Sequence, residues 1–96
     1  MRFLRIKQSS KPDKKLDAEF ETDAGRKKTV SFGAAGMSDF TKHRDEERKR
    51  RYLDRHRARE NWNDPDSPGA LSRWVLWNKP TLQDSIKDYK QRFGFD

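Results

Sequence analysis

Cysteine is absent from this chain, so no disulfide or thiolate metal site can form, and a reducing compartment is permitted. Histidine is scarce: His43 and His56 stand alone, too few for an imidazole cluster. Long apolar runs are missing, and Met1-Arg2-Phe3-Leu4-Arg5 breaks any signal-peptide core with charge, which predicts a soluble protein, intracellular at synthesis, without membrane insertion. Aliphatic residues are few as well. Leu, Ile, Val and Phe together make up 16 of 96 residues, a level at which a highly charged chain approaches the composition of disorder. Three tryptophans, six phenylalanines and two tyrosines offset that shortage, because each aromatic ring buries a large area. The length leaves room for one small domain over residues 1–96, thinly cored and open to completion by a partner.

What the chain does have is positive charge. A net charge of +7 and a pI near 9.9 favour anionic partners such as nucleic acid, an anionic membrane surface or an acidic protein, without choosing among them.

Period-two alternation predicts strands in the first third, residues 1–36. Phe3-Leu4-Arg5-Ile6 forms a first strand, and Leu16, Ala18 and Phe20 line the core face of a second. Asp17, Glu19 and Glu21 alternate with them and are expected on a solvated sheet face, not around a metal. Gly25 turns the chain, and Val30 and Phe32 resume the apolar face on a third strand. Residues 41–94 read as helical. A basic helix from about Asp45 to Glu60, capped by Asp45 or Thr41, carries a narrow stripe of Tyr52, Leu53 and His56. Asn61 to Pro68 is a loop, and Ser67-Pro68 caps a segment in which Leu71, Trp74 and Val75 share a face and should centre the core. Thr81 and Asp84 open a last helix with Leu82, Ile86, Tyr89 and Phe93 in register, closed by Gly94. The expected fold class is therefore α+β, a three-stranded antiparallel meander followed by three short helices.

The main functional signal is the basic helix: residues 42 to 59 hold nine Lys and Arg against four Asp and Glu. Arg44, Arg50, Arg51, Arg55 and Arg57 are expected on or beside the face away from the apolar stripe, where guanidinium forks could meet phosphates. The competing expectation is a solvated helix that neutralises itself through Glu47–Arg51 and Arg50–Asp54 pairs. Lys49 lies near the stripe and should pass its stem along the core edge. Gly33 and Gly36, in Gly33-Ala34-Ala35-Gly36, could bring backbone close to a phosphate, although a plain turn out of the strand is the commoner use of such a segment. Trp62 and Trp77, if exposed, point to a protein interface before a base platform, whereas helical spacing assigns Trp74 to the core. The Asn61–Pro68 loop is too long for a helix-turn-helix. No nucleophile stands beside a base and no carboxylate pair looks buried, so no catalytic residue, metal or cofactor is expected and an enzyme is disfavoured.

Ser31-Phe32-Gly33-Ala34-Ala35-Gly36, Lys42-His43-Arg44-Asp45-Glu46-Glu47-Arg48, Tyr52-Leu53-Asp54-Arg55-His56, Glu60-Asn61-Trp62-Asn63-Asp64-Pro65 and Ser72 through Leu82 occur in an order that resembles a family of small, basic, uncharacterised proteins. Those proteins are encoded by large double-stranded DNA viruses of eukaryotes, including relatives of algal and amoebal giant viruses. The resemblance runs over roughly residues 15 to 94 and carries no catalytic or binding residue with it. It implies an origin, and with it two partners: nucleic acid, or the viral capsid and other viral proteins. Residence in the infected cell, in the nucleus or a cytoplasmic virus factory, with carriage inside the virion, follows from the same resemblance. The expectation is a non-enzymatic accessory protein binding nucleic acid with little sequence preference through its arginine helix; the alternative is a minor capsid or virion-assembly protein.

Overall fold

The computed structural model describes residues 1–95. Three strands, β1 (Arg2–Gln8), β2 (Lys14–Glu21) and β3 (Lys27–Ala34), form an antiparallel meander in the order β1-β2-β3. Helices follow: α1 (Phe40–His43), α2 (Glu46–His56), α3 (Pro68–Leu71) and α4 (Leu82–Arg92). The fold is α+β, as the sequence predicts, with the single turn α1 in addition to the three expected helical segments.

The register explains which face is buried. Leu16, Ala18 and Phe20 stand opposite Gln8, Ile6 and Phe3 on β1 and opposite Phe32, Val30 and Lys28 on β3. Phe3 and Ile6 are three residues apart, yet both lie against the core, because the register shifts between Phe3 and Arg5 and leaves Leu4 as an extra residue. Across this face pack Leu71, Val75, Leu76 and Tyr89, all buried, with Phe3, Tyr89 and Phe95 in edge-on and tilted contact. The Tyr89 hydroxyl donates to the Pro65 carbonyl at 2.6 Å, which ties α4 to the Asn61–Pro68 loop.

From Ser72 to Leu76 the helix widens, the Trp77 N–H reaching back five residues to the Ser72 carbonyl at 3.1 Å. The basic helix is regular only to His56, shorter than expected. Its chain then makes a turn in which the Glu60 N–H returns to the His56 carbonyl at 3.2 Å.

The outer face of the sheet corrects one expectation: Asp17 and Glu19 are not solvated. Asp17 accepts from the hydroxyls of Ser31 and Ser9 at 2.6 and 2.7 Å, which hold its carboxyl below the usual range. Glu19 is covered by three long cationic side chains and not by protein interior: Arg5 at 2.5 Å, Lys7 at 3.0 Å and Lys27 at 3.1 Å. Hydrogen bonds from Arg5 first, then Lys7 and Lys27, lower its pKa from 4.5 to about 2. Alternation correctly assigned these acids to the face away from the core; it did not show that cations on both neighbouring strands would close over them.

Candidate functional site

Only one residue of α2, Tyr52, is buried, so the helix docks on the rest of the chain through a narrow contact. Lys49 supports that contact by reaching past the Phe40 ring, 4.8 Å from its centroid, to donate to the Asn78 carbonyl at 2.7 Å, and burial pushes its pKa down. Because one buried ring and the Lys49 side chain hold α2, the helix stands off from the end of β3 and leaves a groove of about 560 Å³ between them. Gly33 and Ala34 form one wall, Arg48, Arg51, Arg55 and His56 the other, and Leu76 and Trp77 lie at the base. Gly33 has φ +79°, and a Cβ there would stand 2.7 Å from Leu76 Cδ1, so glycine lets strand and helical layer meet.

The groove is cationic. Lys14, Lys15, Arg48, Arg51 and Arg55 line it against two carboxylates, Asp39 and Glu60. Both carboxylates are already engaged. Asp39 accepts from Lys15 at 2.5 Å and from the Thr41 hydroxyl and amide, capping α1. Glu60 takes the Trp62 indole N–H at 3.0 Å and faces His56 Nδ1 at 3.2 Å. Among the described residues, Lys14, Arg48, Arg51 and Arg55 make no salt bridge, and the expected Glu47–Arg51 and Arg50–Asp54 pairs do not form. The i,i+4 ion pairs present are His56–Glu60 and Asp88–Arg92. Exposed pairs of that kind gain little against the entropy of two long side chains, which leaves the arginines free.

Of the residues singled out from sequence, Arg51, Arg55, Gly33 and Trp77 meet at this groove. Arg50 and Arg57 are exposed but lie roughly 140–160° around α2 from Tyr52, facing away from it. Arg44 precedes α2 in a left-handed conformation (φ 55°), donating to the Pro80 carbonyl at 3.2 Å. Sequence reasoning missed Arg48, Lys14 and Lys15. Arg48 was legible, since it lies one turn before Tyr52 on the flank shared with Arg51 and Arg55. The two lysines were not, because only the folded sheet brings the start of β2 to the end of β3.

Gly36 borders a second, adjoining depression of about 450 Å³ that shares Lys14, Lys15, Asp39 and Leu76 with the groove and adds Lys11 and Lys42. The two form one furrow around the end of the sheet, cationic along its length.

Aromatic side chains back the furrow. Tyr52 is parallel to Trp77 (4.2 Å, 3°) and nearly so to His56 (4.2 Å, 26°), and two rings that close cannot share a face, so Tyr52 is the middle of a three-ring column. Beyond Trp77 comes His43 at 5.3 Å, then Phe40. His43 Nδ1 accepts from the Asp45 N–H at 2.9 Å, which leaves Nε2 buried without a polar partner at this closed end. Trp62 and Trp77 are both half-buried, so neither presents the exposed surface on which the interface expectation depended. Trp74 is covered by two guanidiniums, Arg73 at 4.0 Å and Arg92 at 3.7 Å, and donates to the Trp62 carbonyl at 2.9 Å. Burial, with the Arg92 charge nearby, pulls the Arg73 pKa down.

Among the described residues no helix is long and apolar enough to cross a membrane, and no group of three His, Asp or Glu stands in a metal-holding arrangement. The molecule is thus a small α+β protein with a cation-lined furrow at one end of its sheet. Residues 4–56 match the Family of unknown function (DUF5754), and the chain belongs to that family. The matched segment contains most of β1, all of β2 and β3, and α2, hence Lys14, Lys15, Arg48, Arg51 and Arg55 of the furrow, whereas Leu76 and Trp77 at its base lie outside it. No curated protein and no solved structure matches the chain.

Proposed function

We propose that this protein binds nucleic acid, without catalysing a reaction on it, by drawing sugar-phosphate backbone into the furrow at the end of its sheet. The observation that carries this reading is the charge of the concave surface: Lys14, Arg48, Arg51 and Arg55 point four cations at one groove, Lys15 neutralises Asp39, and Glu60, held by the Trp62 indole and His56, is the one carboxylate left against them among the described residues. Guanidinium groups without an internal partner can neutralise phosphates and so release the counterions condensed on the nucleic acid, which drives binding with little regard for sequence. The resemblance to proteins of large DNA viruses makes the viral nucleic acid, in the nucleus or virus factory, the polymer in question. A minor capsid or virion-assembly role draws on one feature, the exposed Met37 at the rim of the same groove.

The test uses two charge-matched variants of one helix. Arg51→Gln with Arg55→Gln removes two cations from the groove, and Arg50→Gln with Arg57→Gln removes two from the opposite side of α2. Anisotropy titration with labelled DNA at moderate salt should show about tenfold or greater weakening for the first pair and less than about threefold for the second. Equal losses would reject the furrow as the binding surface. No binding by the unaltered protein at low salt would transfer the reading to protein docking.

A further inference from the structure

The His56–Tyr52–Trp77 column continues at the Trp77 end into His43 and Phe40, and among the described residues no further aromatic ring stacks on the other end. His56 is the terminal ring, its side chain is 37% exposed, and it lines the groove between Arg55 and Glu60. One of its faces is taken by Tyr52. Its plane is held by Glu60, which is fixed in turn by the Trp62 indole. The ring is therefore pre-set at the mouth of a parallel stack, flanked by cations with no internal partner.

We propose that the furrow takes single-stranded nucleic acid in preference to duplex, with one base stacked on the open face of His56 as the fourth ring of the column. This rests on the nucleic-acid reading and specifies its substrate. Two observations support the single strand. The free cations lie on the concave side of α2, in a groove of about 560 Å³, which is the size of a small-ligand pocket. A duplex, stiff over about 150 base pairs and with its bases paired inside, cannot fold one strand into such a space. A single strand can splay its bases and follow a curved cationic channel, and aromatic faces then receive those bases without regard to identity. The tryptophans are already engaged: Trp77 is stacked on Tyr52 with His43 tilted against it at 5.3 Å, and Trp74 lies under Arg73 and Arg92.

The experiment compares three labelled probes of about ten nucleotides: oligothymidylate, an abasic deoxyribose-phosphate strand of equal length, and a blunt duplex. The intact chain should bind oligothymidylate at least about tenfold more tightly than the other two. His56→Ala should abolish the preference for oligothymidylate over the abasic strand while leaving abasic affinity within about twofold, and His56→Phe should restore it. Circular dichroism checks that both variants fold. Duplex bound as tightly as oligothymidylate, or an unchanged preference in a folded His56→Ala, would overturn the proposal. If duplex binding prevails and is still lost with Arg51→Gln and Arg55→Gln, the nucleic-acid reading survives and the single-strand inference fails. If no probe binds, both fail.

Discussion

Gly33 is the residue on which the site's shape turns. Its backbone is left-handed, and a Cβ added there would stand 2.7 Å from Leu76 Cδ1, which leaves no room for a methyl group unless Leu76 shifts. Gly33→Ala should cost about 2–4 kcal/mol in urea denaturation, combining the left-handed penalty with overpacking against Leu76. Gly36→Ala, at φ +82° with open space around it, should cost only about 1–2 kcal/mol. Equal costs would mean that Leu76 moves aside freely. The sequence marks both glycines but cannot rank them, since the difference lies in a leucine more than forty positions away. Glu19 shows the same limit. Its carboxyl is held at about 2 in the folded chain against 4.5 as its ordinary value, so its contribution is complete above pH 4.5 and is lost as pH falls toward 2. Glu19→Gln should therefore be less stable than the parent at neutral pH and lose less stability across that acid window, the two curves converging near its lower end. Parallel curves would show that the Arg5, Lys7 and Lys27 bonds add nothing.

At the level of elements, alternation and capping were readable where a segment is long and carries its own signals. The Thr81 hydroxyl accepts from the Asp84 N–H at 3.1 Å, and the Asp45 carboxylate from the Glu47 and Arg48 N–H groups at 3.0 and 3.3 Å. Both caps follow from residue type and position. The one-turn helix at Phe40–His43 was not foreseen, because four residues offer no periodicity and its capping Asp39 is fixed by Lys15 from β2. Nor was the widened turn at Ser72–Leu76, which delivers Trp77 onto Tyr52. Asp45→Ala should cost about 1 kcal/mol and fray the first turn of α2, which carries Arg48. Circular dichroism should show a lower melting temperature. DNA affinity should fall below that of Asp45→Asn, which removes the same charge but keeps a capping oxygen, and equal affinities would mean that the helix start does not position the groove wall.

For the whole molecule, net charge pointed to an anionic partner, but composition cannot say which cations face a concavity. Read from sequence, Arg50 and Arg57 group with Arg51 and Arg55, yet at about 100° per residue the two pairs stand roughly 100–160° apart on α2. The docking of Tyr52 on Trp77 decides which pair meets the groove, because it fixes the rotation of α2 and leaves only one flank over the gap. A thin core is part of the same cause: with few apolar residues to spend, the chain buries only one residue, Tyr52, from its most basic helix. The most direct test of the furrow is the salt dependence of single-strand binding, for the parent and for a variant with Lys14, Arg48, Arg51 and Arg55 all changed to Gln. Affinity plotted against salt on logarithmic axes should lose about 0.7 in slope for each cation removed, roughly 3 in all, with the two proteins converging at high salt. An unchanged slope would place the phosphates elsewhere on the molecule and contradict the assignment of the furrow as the nucleic-acid site.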